Sequence, residues 1–310
     1  MTGLYTKSPD DRAGREILRL VEEQVALGPR VPGTAPHDAL ALTLEQRLRA
    51  YTEEVTVQEF PVAFRGSTLW CRNIVGVFRA GSPAVTAPPL LLGTHYDTRV
   101  RADRQPDAAR RECPIPGAND GGSGTAVLLH MLPWLARGSG AGVASGRDVA
   151  VAFFDAEDLG NIDGKEFALG AAWCASNPVP GFDPEEVVVL DMVGGAGMIL
   201  DIDANILGHS ASRRLTREVF RAGVSLGGKP FTGDKPHRLK GIISDHYPFA
   251  CRGTASCILI DIDYPQWHTH GDLPEALSPV SLGITEAALV LFLSQRPGQG
   301  DRGSAGSAGP

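Results

Sequence analysis

Four short apolar runs constrain this chain more than any other feature. Leu90–Leu92, Val149–Phe154, Val187–Leu190 and Ser256–Ile260 are too short for buried helices. They are also too continuous for strands with one wet face. Segments with helical spacing stand around them. Arg12–Ala26 places Ile17, Leu18, Val21 and Val25 on one face and is stopped by Gly28-Pro29. Pro36–Tyr51 carries Leu40, Leu44 and Leu48 on one stripe, and Gly124–Leu135, Ser212–Val224 and Ser281–Leu293 also read as helices. Val55–Phe60 and Leu69–Phe78 are further β-rich segments. Such alternation predicts an α/β fold, with a largely parallel sheet covered on both faces.

Composition narrows the function classes. Among 310 residues, 36 Asp and Glu outnumber 29 Lys and Arg, giving a net charge of −7. An acidic chain lacks the basic face of a dedicated nucleic-acid binder. A hydrophobic fraction of 43% excludes global disorder. No apolar run approaches the roughly 18 residues of a membrane span. The N-terminus has no apolar core after a charged start, so no secretory signal is visible; cytoplasm, or secretion with a signal removed, both fit. Cys71, Cys113, Cys174, Cys251 and Cys257 are odd in number and form no C-x-x-C pair, which argues against a disulfide framework or a thiolate zinc site. The expected organisation is one domain over residues 1–296, followed by a disordered Gly/Ser-rich tail over 297–310.

The apolar runs end in chemistry-bearing residues. Leu90–Leu92 leads into Gly93-Thr94-His95-Tyr96-Asp97, and Val149–Phe154 leads into Asp155-Ala156-Glu157-Asp158. Val187–Leu190 leads into Asp191, and Ser256–Ile260 into Asp261, with His268 shortly after. Ligands of open α/β sheets bind beyond the carboxyl ends of the strands. This placement gathers His95, Glu157, Asp158, Asp191 and His268 at one rim, where Asp120, just before a helix, could join them. A lone Asp at a strand end is usually a cap or a loop residue; four such clusters in one chain point to a shared purpose. So many carboxylates together would force protonation or repulsion unless a divalent cation lies between them. Two imidazoles with carboxylates and no thiolate suit a hydrolase-type zinc ion. In the pair Glu157-Asp158 one residue can bind metal while its neighbour acts as general base.

Other motifs fail. Gly121-Gly122-Ser123-Gly124-Thr125 lacks the last glycine of a G-x-S-x-G elbow, and Gly195-Ala196-Gly197 lacks the third glycine of a dinucleotide fingerprint. There is no H-E-x-x-H. His37, His130, His209, His237 and His270 have no motif context and read as structural or surface residues.

The segments GTHYDT (93–98), GANDGGSG (117–124), FFDAED (153–158), LDMVGG (190–195), SDHYPF (244–249) and WHTH.D (267–272) resemble, in order and spacing, the M28 zinc peptidases. GPRVPGT (28–34) fits the same pattern. Within that family the chain most resembles bacterial glutaminyl-peptide cyclotransferases, through HYDTR, the polar loop leading to PIPGANDG, FFDAEDLG, and a Trp before the last ligand His. The resemblance implies a single-domain, three-layer α/β/α fold with a mixed, centrally parallel twisted sheet, of the zinc-dependent exopeptidase type. It implies Asp120, Asp158 and His268 as ligands of one zinc, with Glu157 as catalytic acid/base. Asp191 and Asp245 are implied as catalytic acidic partners sharing a proton, and Trp267 as a pocket wall. His95 and Asp191 match the second zinc site of two-zinc aminopeptidases, with Asp97 in a supporting place. Asp158 stands where many relatives carry Glu, and the loop after it lacks a tryptophan that animal cyclotransferases carry. A cis peptide bond between Asp120 and Gly121 is also implied.

The expected reaction is intramolecular cyclisation of an N-terminal glutaminyl residue to pyroglutamate with release of ammonia, acting on peptide or protein N-termini. The rival is a two-zinc aminopeptidase in which Glu157 activates water. A further rival is a non-catalytic M28-like binding domain, disfavoured because every ligand position is filled. Oligomeric state is not legible in the sequence.

Overall fold

The structure is a computed structural model and describes residues 11–80, 87–141, 146–227, 229–231 and 239–295. Residues 297–310, expected to form a tail, and His237 lie outside the described residues. In chain order the helices are α1 (Asp11–Ala26), α2 (Ala35–Arg49), α3 (Gly122–Ala141), α4 (Leu169–Ser176), α5 (Ser210–Ser225), α6 (His246–Cys251) and α7 (Pro279–Ser294). The strands are β1 (Glu54–Phe64), β2 (Ser67–Phe78), β3 (Leu90–His95), β4 (Val149–Phe154), β5 (Glu186–Asp191), β6 (Ile202–Asp203), β7 (Leu239–Lys240) and β8 (Ala255–Ile260).

The main sheet has the order β1-β2-β4-β3-β5-β8. β1–β2 and β2–β4 are antiparallel; β4–β3, β3–β5 and β5–β8 are parallel. The expected mixed sheet with a parallel interior is therefore present. β3, β4, β5 and β8 are buried at every residue, which explains their continuous apolar composition. Alternate residues serve opposite faces. Leu90, Leu92, Val151, Val188, Leu190, Cys257 and Leu259 pack into one core with α1, α2, α3, α5 and α7. Leu91, Ala150, Ala152, Val187, Val189, Ile258 and Ile260 pack into the other, with α4 and α6.

The predicted helices and strands are all present, β1 and β2 being longer than their sequence signals. Ile17 and Val21 are fully buried on α1, as are Leu44 and Leu48 on α2, while Leu18 and Val25 pack at the margin. The five cysteines are free; Cys71, Cys174 and Cys257 are buried. Three parallel strands, β3, β4 and β5, end together, so their C-terminal residues emerge on one rim.

Candidate metal centre

The rim assembles two triads of candidate metal ligands that share one carboxylate. Donor atoms of His95, Asp120 and Asp191 lie within 4.8 Å of one another, as do those of Asp120, Asp158 and His268. His95 Nε2 stands 3.2 Å from Asp120 Oδ1 and 3.6 Å from Asp191 Oδ1. His268 Nε2 stands 3.6 Å from Asp120 Oδ2 and 3.3 Å from Asp158 Oδ1. All five side chains are buried.

Local backbone geometry aims these groups. Gly121 adopts φ +79°, and a Cβ there would meet the Asp97 carbonyl oxygen at 2.7 Å and the His95 ring at 3.1 Å. Only glycine allows that turn so close to the histidine. The implied cis bond between Asp120 and Gly121 is not found: among the described residues every peptide bond is trans, and the left-handed glycine makes the reversal instead. Ala156, Met192 and His268 are non-glycine residues with φ of 56°, 49° and 56°. Each adjoins or is a rim residue, and such backbone costs of order 1–3 kcal/mol per residue, a recurrent feature of functional sites.

A second layer of polar groups holds the rim. The Asp97 carboxylate accepts the backbone N–H groups of both Glu157 and Asp158 at 3.1 Å and lies 3.5 Å from His95 Nδ1. Asp272 accepts N–H groups from Asn119 at 2.8 Å and Asp120 at 3.1 Å, and the Tyr264 hydroxyl at 3.0 Å. Ser244 Oγ donates to Asp191 Oδ2 at 2.9 Å. Arg30 is fully buried beneath the site, donating to the carbonyls of Pro116 and Gly117. Burial lowers its pKa to about 10 against the raising charges of Asp272, Asp97, Asp120 and Asp158, so it stays cationic at neutral pH.

Several ligand atoms remain unsatisfied. Both His95 ring nitrogens, Asp120 Oδ2, Asp158 Oδ2 and Asp191 Oδ1 are buried with no hydrogen-bond partner. Orphaned buried polar atoms are costly and rare. Burial and the Asp158 charge push Asp120 up to about 7, although His95 and His268 pull it down. Burial opposes charge on His268 as well, but Asp158, Asp103 and Asp120 raise it to about 9. Imidazole nitrogen and carboxylate oxygen donors with these unmet needs fit a zinc ion.

Glu157 is buried beside both triads, and burial, with Asp245, Asp191 and Asp158, raises its pKa well above the usual carboxylate range, against the pull of His95. A carboxyl raised in this way suits a proton carrier. Asp245 is raised well above its usual range by burial and by Asp191 and Asp97, against His95, and both its oxygens are buried without a partner. Asp191 is bonded to Ser244 rather than to Asp245.

Trp267 packs beside His268 with ring centroids 4.5 Å apart, and the Arg104 guanidinium lies 3.8 Å from the Trp267 centroid. Part of the expected pocket wall is thus covered by a cation. Asp155 and Asp261, at strand ends like the rim residues, are employed elsewhere. Asp155 bonds His37 and Tyr96, and Asp261 accepts the backbone N–H of Ile199. Sequence reasoning missed Arg99, Asp103 and Ser244. Arg99 and Ser244 lie inside the HYDTR and SDHYPF motifs, and Asp103 follows HYDTR closely; that placement was the available signal. It also missed the roles of Asp272 and Arg30, which lie within quoted motifs.

Comparisons with known proteins agree with this geometry. The model of peptidase family M28 matches residues 73–293. No curated protein matches the chain. Among solved structures, the glutaminyl cyclase of Tannerella forsythia is 29% identical with a TM-score of 0.79, covering 91% of this chain and 98% of that one. A Zn-dependent exopeptidase from Parabacteroides distasonis has the same identity, TM-score and coverage. A leucine aminopeptidase precursor from Bacteroides thetaiotaomicron is 26% identical with a TM-score of 0.80, covering 91% of this chain and 97% of that one.

Proposed function

The chain belongs to peptidase family M28, and on that premise we propose that it is a zinc-dependent glutaminyl-peptide cyclotransferase. The observation that carries the reading is the convergence of Asp120, Asp158 and His268, with unsatisfied buried atoms, beside a Glu157 whose carboxyl is pushed up by burial. Likeness to the Tannerella forsythia glutaminyl cyclase over almost its whole length supports cyclisation as the reaction. The substrates are peptide or protein N-termini. No helix among the described residues is long and apolar enough to cross a membrane.

Asp120, Asp158 and His268 hold the zinc, which when bound supplies Lewis acidity toward a carbonyl oxygen. Glu157 takes a proton from the α-amine of an N-terminal glutaminyl residue as that nitrogen attacks the γ-carbonyl carbon of the same side chain. The attack is intramolecular, so no second reactant must be captured. The C–N bond to the side-chain nitrogen then breaks, Glu157 returns the proton to it, and ammonia leaves. Asp245 and Asp191 sit beside this path; burial and the neighbouring Asp191 and Asp97 favour a proton on the Asp245 carboxyl.

The second triad favours one other reading. His95, Asp120 and Asp191 form a complete set for a second zinc, the arrangement expected of an aminopeptidase in which Glu157 activates water. Purified protein incubated with a Gln-initiated and a Leu-initiated peptide separates the two. Cyclisation yields ammonia and pyroglutamyl product from the first and nothing from the second. Free leucine from the second, with no ammonia from the first, replaces this reading by the aminopeptidase one.

A further inference from the structure

We propose that Arg99 is a positioning residue for one half of the metal centre, gripping the ligand Asp158 directly and the ligand His268 through Asp103. This rests on the reading of Asp120, Asp158 and His268 as zinc ligands.

Arg99 is 2% exposed, in the loop after the His95 strand. Its Nε and Nη2 donate to the two oxygens of Asp103 at 3.0 and 2.6 Å, a bidentate fork. Its Nη1 faces Asp158 Oδ1 at 3.2 Å, the Asp158 carbonyl at 3.1 Å and the Gly160 carbonyl at 2.9 Å. One planar cation therefore ties the backbone and side chain of Asp158 to the carboxylate of Asp103.

Each contact has a consequence at the metal side. Arg99 fixes Oδ1, the Asp158 oxygen that lies 3.3 Å from His268 Nε2, while Oδ2 is buried and unpartnered. The orientation of the Asp158 carboxylate toward His268 is thereby set. Asp103 Oδ1 lies 3.1 Å from His268 Nδ1. A carboxylate there accepts a hydrogen bond from Nδ1–H, which fixes the tautomer that leaves the Nε2 lone pair aimed at Asp120 and Asp158. Arg99 holds Asp103 in the place where it does this. Lysine cannot reproduce the arrangement, because a point ammonium has no fork to bridge two carboxylates in fixed planes. Among the described residues the other triad has no guanidinium of this kind: Asp191 is held by the Ser244 hydroxyl, and His95 faces Asp97.

The test is zinc competition between the full-length protein and a chromogenic chelator, for wild type, Arg99→Lys and Asp103→Asn. Thermal midpoints of the zinc-stripped proteins are read alongside. Outer partners of ligating histidines and carboxylates typically contribute about 10- to 100-fold in metal affinity. We expect losses of that size in both variants, at an unchanged zinc-free midpoint. In the double variant the loss stays near that of the worse single, since both act along one connection. Unchanged affinity in both variants overturns the proposal. A fall matched by an equal fall in the zinc-free midpoint also overturns it, by making Arg99 a fold residue only. Asp103→Asn decides alone if Arg99→Lys does not fold. Wild-type protein that takes up no zinc overturns the ligand reading itself, which is a distinct result.

Discussion

The two ligand triads share Asp120 and use the same donor types, yet the groups behind them differ. Behind Asp158 and His268 stand a permanent cation, Arg99, and the carboxylate it grips, Asp103. Behind Asp191 stands a neutral hydroxyl, Ser244, and behind His95 the Asp97 carboxylate at 3.5 Å, beyond good hydrogen-bond length. Equal first contacts therefore do not make equal sites. The half with the guanidinium has its ligand directions fixed from outside; the other half depends more on whatever lies between its donors. The same difference fits a one-zinc cyclotransferase built on a frame that also accommodates two.

The largest expected effect concerns the carboxyl that lies beside both halves, Glu157. Glu157→Gln keeps the shape of the side chain and removes its proton-carrying ability. Turnover should fall by roughly 100- to 10,000-fold, with zinc content unchanged by metal analysis. Near-normal turnover would remove Glu157 as the acid/base.

The comparison itself is broken or kept by removing one imidazole from each half. His268→Ala should strip the purified protein of its zinc, whereas His95→Ala should leave one equivalent bound. Equal loss in both, by elemental analysis, would show that the two halves hold metal alike. A smaller effect sharpens the second half. Ser244→Ala removes the hydrogen bond to the Asp191 carboxyl and leaves a buried acceptor unsatisfied, which costs about 1–3 kcal/mol. Turnover should drop by roughly tenfold or more, while zinc affinity changes little. A loss of zinc instead would place Asp191 among the ligands of the tightly held ion.

The smallest effect is a control far from the rim. His130 on α3 bonds Glu286 of α7 at 2.6 Å and lies 3.3 Å from Glu16 of α1. The hydrogen bond to Glu286 raises its pKa most, burial opposes it, and Glu16 adds to the rise. A raised folded-state value means that this staple contributes fully below the ordinary imidazole value of 6.5 and fades as pH climbs through the higher folded-state value. His130→Gln should therefore cost about 1 kcal/mol or less at acidic pH. The difference in thermal midpoint from wild type should shrink as pH rises, with zinc content constant. A difference that grows with pH would reverse the sign assigned to this pair.

Much of the architecture was legible because its signals are long or continuous. β3, β4, β5 and β8 are buried on both faces, so their apolar runs stand out without any alternation to detect. α4 and α6, with 8 and 6 residues, have too few turns to show a helical period. β6 and β7 pair over two residues each and leave no pattern. At the site, His95, Asp120, Asp158, Asp191 and His268 were readable as a set because they follow strand ends or open a helix. What could not be read was direction. Asp155 and Glu157 are two residues apart after one strand, but Asp155 turns to His37 and Tyr96 while Glu157 lies beside the triads.

Sequence alone determined the sheet and its single rim, and named the candidate donors, because strand termini in a parallel sheet are brought together by the sheet's own hydrogen bonds. Tertiary structure alone decided which strand-end acids face inward, that Gly121 turns the chain through a trans bond, and that Arg99 and Asp103 stand behind one triad but not the other. Those outcomes depend on loop backbone angles and on contacts between residues as far apart as Asp103 and His268. No local pattern encodes them, since each side chain's partner is set only when the loops pack.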